Sequence, residues 1–198
     1  TTNYLHKSMT YDMTGQMLTE TDWTNGNATT YSYADNFFTD AGGSSAPSSY
    51  TPSTPTNAFL NTITHPTVSS VTMVDTFGYY WGTGQKAVST DPNSQVTYFH
   101  FYDSLNRPTS VKLPNGGWTF LVYPGSSQTQ VDIGTGITST SLSISCTAGS
   151  GDCRHDQTLL DSLGRGSSQI LVSDPDGQTT FGSTAYDSNG RVYSVGNA

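Results

Sequence analysis

The sequence predicts an all-β protein built from consecutive antiparallel β-hairpins that form a twisted strip. Hydroxyl and aromatic residues are abundant: the 198 residues include 32 Thr and 27 Ser, and aromatic residues make up 12% of the chain. Thr, Tyr, Val and Phe favour strands, whereas the good helix formers Ala, Glu, Lys and Leu are scarce. Short alternating segments also recur along the chain, separated by turns rich in Gly, Asn and Asp, which is typical of hairpins.

Tyr102–Tyr123 carries the clearest hairpin. Strand-favouring residues alternate along its two arms, at Thr109, Val111, Leu113, Trp118, Phe120 and Val122. Pro114–Gly117 separates the arms with a strong turn signal, and Gly116 is expected to have a positive φ. An earlier turn is predicted at Leu105–Arg107.

The start of this hairpin, an Asp followed by a turn and then Arg, occurs several times. Tyr11–Gln16, Leu160–Arg165 and Tyr186–Arg191 repeat it, and Val74–Phe101 is a blurred copy that keeps Asp91-Pro92-Asn93 before its second arm. An internal repeat of this kind indicates an array of identical supersecondary units. An Asp in such a turn usually accepts hydrogen bonds from the backbone of the turn. The sequence therefore predicts turn roles for Asp12, Asp103, Asp161 and Asp187.

The pattern Tyr-Asp-x-x-Gly-Arg, then a turn with Gly, then Tyr-x-Tyr, resembles the YD repeat of Rhs proteins, bacterial toxin-complex shells and animal teneurins. The best matches are Tyr102–Tyr123 and Leu160–Val195, and Tyr11–Tyr33 matches with Gln16 in place of Arg. This resemblance implies a long β-strip that spirals, in some members into a hollow shell around a cargo.

The resemblance divides the chain into a single β-repeat domain, 1–198, with two segments that show no repeat. Residues 34–67 are rich in Ser, Thr, Pro and Gly, and their Asp40–Thr56 stretch is expected to be a flexible or extended loop that cannot pack a core. It is interpreted as a plain surface loop, with an O-glycosylated segment as the alternative. Residues 124–153 contain the Cys pair, with strands predicted at Val131–Ile133 and Ile137–Ile144 around a Gly134–Gly136 turn. A further strand is predicted over Val68–Trp81, because its residues alternate.

The charge and composition of the chain bear on its partners and its location. The net charge is −8 and only seven Lys or Arg are present, without clustering, so nucleic acid is not an expected partner. No apolar run is long enough to span a bilayer. Low Lys with high Ser, Thr and Tyr favours a secreted or cell-surface protein, and the start of the chain without Met is expected of a mature or excised segment.

The only cysteines, Cys146 and Cys153, bracket a short Gly-rich segment. Such a segment can bring the two sulfurs together, so a local disulfide is predicted, and it implies an oxidising compartment. The alternative is a metal site with His155, Asp152 or Asp156, but the spacing matches no zinc-ligand set.

Two places in the sequence are candidate sites for glycan attachment or glycan binding. Asn27 begins an N-glycosylation sequon beside the Asn25-Gly26 turn, so it is a candidate acceptor. The second place is an aromatic cluster that could stack on a sugar, or could instead fill the space between packed sheets. Its residues are Phe77, Tyr79, Tyr80 and Trp81.

No catalytic, cofactor or metal site is predicted. The four histidines lie in unrelated contexts, and His100, between Phe99 and Phe101, is expected to be a half-exposed strand residue. Glycoside hydrolysis by two carboxylates stays open as an alternative, since it needs only two acids at the right distance. However, Glu20 is the sole Glu, and most Asp residues lie at Tyr-Asp or Asp-Pro turn positions. Asp174–Gly177 matches an autoproteolytic motif that Rhs shells carry, but it lies inside a repeat and is interpreted as a turn.

The preferred hypothesis is an extracellular structural module that builds a fibre or shell by β-strand assembly, without catalysis. Its expected partners are copies of itself or flanking repeats of a longer chain, because exposed strand edges pair readily. The alternatives are a glycan- or surface-binding adhesion module and a fragment of a toxin-encapsulating Rhs shell.

Overall fold

The computed structural model describes residues 6–22, 26–40, 46–101, 103–123, 130–137, 154–177 and 179–197. No helix occurs in these ranges. The sixteen strands are β1 Lys7–Tyr11, β2 Met17–Asp22, β3 Asn27–Ser32, β4 Phe37–Thr39, β5 Ser48–Tyr50, β6 Thr62–Thr64, β7 Val74–Tyr80, β8 Lys86–Thr90, β9 Val96–His100, β10 Ser110–Lys112, β11 Trp118–Val122, β12 Gln130–Ile137, β13 Arg154–Leu160, β14 Gly166–Ser173, β15 Thr180–Tyr186 and β16 Val192–Asn197. The predicted all-β fold of consecutive antiparallel hairpins is confirmed.

The first compact unit comprises residues 1–41 and 46–99. Its strands pair in the order β1-β2-β3-β6-β7-β8-β9, and each strand is antiparallel to its neighbour along this path. β4 leaves the path, since it pairs with β5 antiparallel and with β7 parallel. The arms predicted on either side of Asp91-Pro92-Asn93 are confirmed as β8 and β9.

The second compact unit includes residues 100–198. Here strands β10 to β16 pair in chain order, each antiparallel to the next. The predicted hairpin of β10 and β11 is confirmed, with Ser110 opposite Phe120, and Gly116 in its turn has a φ of 84°. Neighbouring strands are thus neighbours in sequence, so each hairpin pairs with the one before it.

Aromatic side chains fill the core of the first unit. Phe37 and Tyr80 are each 5% exposed and Ala87 is fully buried. The ring of Phe38 lies directly on Gly78, where a Cβ atom would come within 2.2 Å of the ring. Close approach of a ring to the backbone therefore requires Gly at this position of β7.

A short stack of rings forms the core of the second unit. The Trp118 and Phe120 rings are stacked at 5.5 Å and the His100 ring lies 5.9 Å from Trp118. Phe120 is 1% exposed and His100 is fully buried. The expectation that His100 is half-exposed is therefore wrong. Alternation along β9 identifies two faces, but it does not tell how completely the face that carries His100 is covered.

The structure also corrects the start of one predicted strand. The strand predicted over Val68–Trp81 begins only at Val74, because the chain turns at Ser69 and Ser70, which have positive φ values of 50° and 66°. The Val68–Val71 bridge closes that turn.

The turn predicted at Gly134–Gly136 is likewise absent from the described backbone, since β12 runs through these residues. Gly134 pairs with Phe120 on one side and His155 on the other, so pairing on both sides holds Gly134 extended. Residues 138–144 of the next predicted strand lie outside the described residues.

The stretch predicted as a flexible loop, Asp40–Thr56, contains β5. Part of it is held by Asp35, whose carboxylate accepts hydrogen bonds from the Thr56 N–H at 2.7 Å and the Thr56 hydroxyl at 2.6 Å. Tyr50 packs against Trp81, with ring centres 5.2 Å apart. These contacts hold Tyr50 and Thr56, in the described part of the stretch, although its composition alone favours a loop.

Candidate functional site

The repeated turns share one backbone geometry. The residue three positions after the Asp has a positive φ in each of them, at Gly15, Ser94, Asn106, Gly164 and Gly190, with values from 55° to 88°. The N–H of that residue donates to the carbonyl oxygen of the Asp, at distances from 2.9 to 3.2 Å. This is the type I turn followed by a left-handed residue that joins strands in three-residue hairpin loops.

The Asp carboxylate accepts hydrogen bonds from the backbone N–H groups of its own turn, as the sequence predicted. In the last repeat, the N–H groups of Asn189 and Arg191 both donate to Asp187 Oδ1 at 2.9 Å. Asp161 accepts the equivalent two bonds, and Asp12 and Asp91 do the same in the first unit. Asp103 accepts from the Leu105 N–H at 2.7 Å. The Asp-Pro-Asp-Gly sequence is also confirmed as a turn, with Gly177 at a φ of 74°.

These contacts favour the ionised carboxylate, because each donor carries a partial or full positive charge. The side-chain hydrogen bonds from Arg107 and Arg165 hold the pKa values of Asp103 and Asp161 below the ordinary range. The backbone N–H of Arg191 has the largest lowering effect on the pKa of Asp187. In the first repeat, where Gln16 replaces Arg, the hydroxyl of Thr14 lowers the pKa of Asp12 instead.

In two repeats the turn Arg also contacts a Tyr at the end of the second strand that follows. The Arg107 guanidinium carbon lies 3.9 Å from the centre of the Tyr123 ring. Arg165 lies 4.0 Å from the centre of the Tyr186 ring. Each guanidinium therefore bridges a carboxylate and an aromatic face, and we name these arrangements the Asp-Arg-Tyr clusters: Asp103, Arg107 and Tyr123, and Asp161, Arg165 and Tyr186.

The Tyr hydroxyl fixes the second strand to the beginning of the first. Tyr123 donates to the carbonyl oxygen of Pro108 at 2.9 Å, and Tyr186 donates to that of Gly166 at 2.9 Å. Both acceptors directly follow the turn Arg. Tyr33 makes the same bond to Met17 at 3.2 Å in the first repeat, where Gln16 turns instead to the carbonyl oxygen of Asn57. The Tyr bond thus persists where the cation is missing.

The Tyr-Asp pair connects one repeat with the next. Tyr186 completes the cluster of Asp161 and Arg165, and the following residue, Asp187, holds the next turn. Gly190 of that turn faces the previous cluster, since a Cβ atom there would lie 3.0 Å from Arg165 Nη1. The positive charge of Arg165 also contributes to the lowered pKa of Asp187. Successive turns are therefore in physical contact through one guanidinium.

The Asp187 turn differs from the two clusters in its exposure. The Arg191 guanidinium pairs with Asp187, with Nε 2.9 Å from Oδ2. Its side chain is 75% exposed, compared with 21% for Arg107 and 30% for Arg165. Within the described part of the chain no aromatic ring covers it. This turn therefore has the Asp and the Arg of a cluster but lacks the Tyr.

The predicted sugar-stacking aromatics fall into different environments. Tyr80 is buried and donates to the carbonyl oxygen of Phe99, and burial raises its pKa. Tyr79 stacks on Phe59 with ring centres 4.8 Å apart, and Phe77 lies under Lys86 Nζ. Trp81 is 43% exposed and packs edge-on against Phe37. Packing thus accounts for most of the predicted set, and Trp81 is the member with the largest exposed fraction, although Phe37 and Tyr50 cover part of its ring.

The remaining predicted sites have simpler outcomes. Asn27 is the exposed first residue of β3, and its glycosylation stays a prediction. Cys146 and Cys153 lie outside the described residues, so their disulfide stays a prediction as well.

In the described ranges no three His, Cys, Asp or Glu side chains group as metal ligands would. Those ranges also hold no helix with the length and apolar character that a membrane span needs.

Sequence reasoning missed the Arg–Tyr stacks and the contact of Arg165 with Gly190. A partial signal is present, because Arg or Gln recurs four positions after the Asp and Tyr186 directly precedes Asp187, whereas Pro124 follows Tyr123. That spacing indicates a structural link between consecutive turns.

No family model matches this chain, and no curated protein matches its sequence. Two crystal structures share its fold: that of TcdB2-TccC3 with Cdc42, at a TM-score of 0.62 and 14% identity, and that of TcdB2-TccC3 without the hypervariable C-terminal region, at 0.64 and 15%. Each match covers 98% of this chain but only 9% of the other chain. The likeness to YD-repeat toxin-complex shells predicted from the sequence is thus confirmed at the level of fold.

Proposed function

We propose that this chain is an extracellular structural module that builds a fibre or shell by adding β-strands to one another, without catalysis. The observation that carries the proposal is the Tyr-Asp junction at Tyr186 and Asp187. At this junction one residue completes a cluster and the next begins a turn, so the last hairpin is fixed to the one before it by these contacts. A repeat that attaches to its neighbour in this way is suited to a structural protein whose β-strip lengthens as repeats are added.

The distribution of polar groups supports the same role. The turn carboxylates accept bonds from their own backbone and from the neighbouring Arg, so their lone pairs are used for holding the fold. The lowered pKa values of Asp103 and Asp161 keep them ionised at neutral pH, whereas a general acid needs a raised carboxyl pKa. The fold is shared with two structures of the toxin-complex proteins TcdB2 and TccC3, which supports a structural module rather than a particular cargo.

Negative-stain microscopy of the purified chain tests this function. Fibres or closed shells of regular width are the expected result. Scattered particles with the size of one chain would remove the assembly role.

A second candidate function is glycan binding in the first unit, and the partial exposure of Trp81 favours it. Trp81 and Tyr50 are 43% and 37% exposed, with ring planes inclined at 32°. Aromatic faces of this kind stack on the apolar faces of sugars. A glycan array with the wild-type chain and a Trp81→Ala variant tests this. Binding lost in the variant would support it, and no binding by the wild type would exclude it.

A further inference from the structure

β1 and β16 are the first and last strands of the pairing order among the described residues, and they are compatible in length, sequence and chemistry. β1 pairs with β2 alone and β16 pairs with β15 alone among the described strands. Every residue of both strands is exposed. Each strand therefore has a backbone edge that no described strand covers, and such an edge can pair with a strand of another chain.

We propose that β16 of one copy of this chain accepts β1 of a second copy, and that Tyr11 of the second copy stacks on Arg191 of the first. The inference rests on the proposed function and specifies its partner: a second copy, joined head to tail. The new contact would be an Asp-Arg-Tyr cluster divided between two molecules, with Asp187 and Arg191 on one and Tyr11 on the other.

The existing cluster of the second unit supplies the geometry. β14 follows its turn as β16 does, and β15 ends in Tyr186 directly before an Asp, as β1 ends in Tyr11 before Asp12. Ser168 pairs with Ser183, and the same register continued toward the turn sets Arg165 opposite Tyr186. β1 can therefore occupy against β16 the place that β15 occupies against β14.

Side chains fit this register. With Tyr11 opposite Arg191, Met9 lies opposite Tyr193 and Lys7 opposite Val195. Met9 is 45% exposed and Tyr193 is 79% exposed, so the pairing would cover apolar surface that each copy leaves in water. Aromatic and apolar residues directly opposite each other stabilise antiparallel pairs. The five residues of β1 also match the six of β16 in length.

The turn after β1 has room for the incoming guanidinium. Within the second unit, Arg165 packs against Gly190 of the next turn, where a Cβ atom would lie 3.0 Å from Nη1. Gly15 holds the matching position after Tyr11, and a Cβ atom there would meet nothing within 4 Å. The space that Arg165 fills at Gly190 is thus open at Gly15. Tyr11 itself is 54% exposed and accessible to a partner.

Two variants each disable one edge. Arg191→Gln removes the cation and keeps a residue that the same turn position tolerates, since Gln16 occupies it in the first repeat. Tyr11→Ser removes the ring and leaves β16 intact. Sedimentation velocity should find each variant alone at the 21.2 kDa of one chain, whereas the wild type forms larger species. An equimolar mixture should give the mass of two chains, because one working pair of edges remains.

Matched controls separate edge chemistry from damage to the fold. Met13→Ser changes a fully exposed residue beside Tyr11, and it should leave assembly as in the wild type. Arg165→Gln weakens the internal cluster and should lower the melting temperature without changing assembly. Unchanged circular dichroism in the edge variants shows that they are folded.

The outcomes also separate this inference from the proposed function. If the wild type assembles and both edge variants assemble equally well, the contact between Tyr11 and Arg191 is wrong while the structural role stands. Self-association of one variant, but not the other, would indicate a symmetric contact and would also overturn the inference. A wild type that remains a single chain overturns the inference and the proposed function together.

Discussion

The guanidinium carbon of Arg165 lies 4.0 Å from the centre of the Tyr186 ring. Arg165 directly precedes β14 and Tyr186 ends β15, so this contact joins the two ends of one hairpin. The Tyr186 hydroxyl adds a 2.9 Å bond to Gly166 at the same place. The pair is therefore a suitable position for measuring how strongly consecutive turns are tied together.

A double-mutant cycle of Arg165→Gln and Tyr186→Leu should reveal a favourable coupling. Cation–π pairs at partly exposed sites contribute about 0.5–1 kcal/mol. Urea unfolding of the two single variants and the double variant gives the coupling free energy. The pair Arg154→Gln and Tyr186→Leu serves as the control, since Arg154 pairs with Asp156 instead. A coupling of zero for the first pair would show that the stack has no energetic role.

Stability should fall in acid because of the turn carboxylates. The pKa values of Asp12, Asp103, Asp161 and Asp187 are lowered in the fold. A lowered pKa stabilises the folded chain fully above the ordinary Asp value of about 4, and the stabilisation is lost as the pH falls through the folded-state values. The melting temperature should therefore drop steeply below about pH 4. In Asp161→Asn the drop should be shallower, and an identical profile would contradict this account.

Ser94→Gly should stabilise the first unit. Ser94 has a φ of 62° at the turn position that Gly15, Gly164 and Gly190 hold elsewhere. A non-Gly residue there is strained, so relief of the strain should add about 1 kcal/mol to the free energy of unfolding. Ser188→Gly, at an earlier position of an equivalent turn, lacks a positive φ and should be neutral or slightly destabilising. A loss of stability in Ser94→Gly would contradict the strain argument.

Gly78→Ala should destabilise the first unit, because the new methyl group would lie 2.2 Å from the Phe38 ring. Overpacking of this kind costs about 1–3 kcal/mol. Gly82→Ala is the matched control, since its Cβ would meet nothing within 4 Å. Thermal unfolding of both variants decides the point. Equal melting temperatures would mean that Phe38 can move aside without cost.

The parts of the fold that depend on local sequence were predictable. An Asp reaches the N–H groups of its own turn within four residues, so Asp12, Asp161 and Asp187 could be assigned from the sequence. The contact of Arg165 with Tyr186 depends on strand register as well, and register follows from pairing rather than from either segment alone. Burial of His100 depends on which side chains cover its strand, and Gly134 stays extended because strands flank it on both sides. Such features need the assembled sheet.

Multi-angle light scattering of the wild-type chain over a range of concentrations tests the central claim most directly. One chain has a mass of 21.2 kDa. Strand addition between copies predicts an average mass that exceeds this value and rises with concentration, because a head-to-tail contact that does not close continues to add subunits. A constant mass of one chain at the highest concentration would contradict the account.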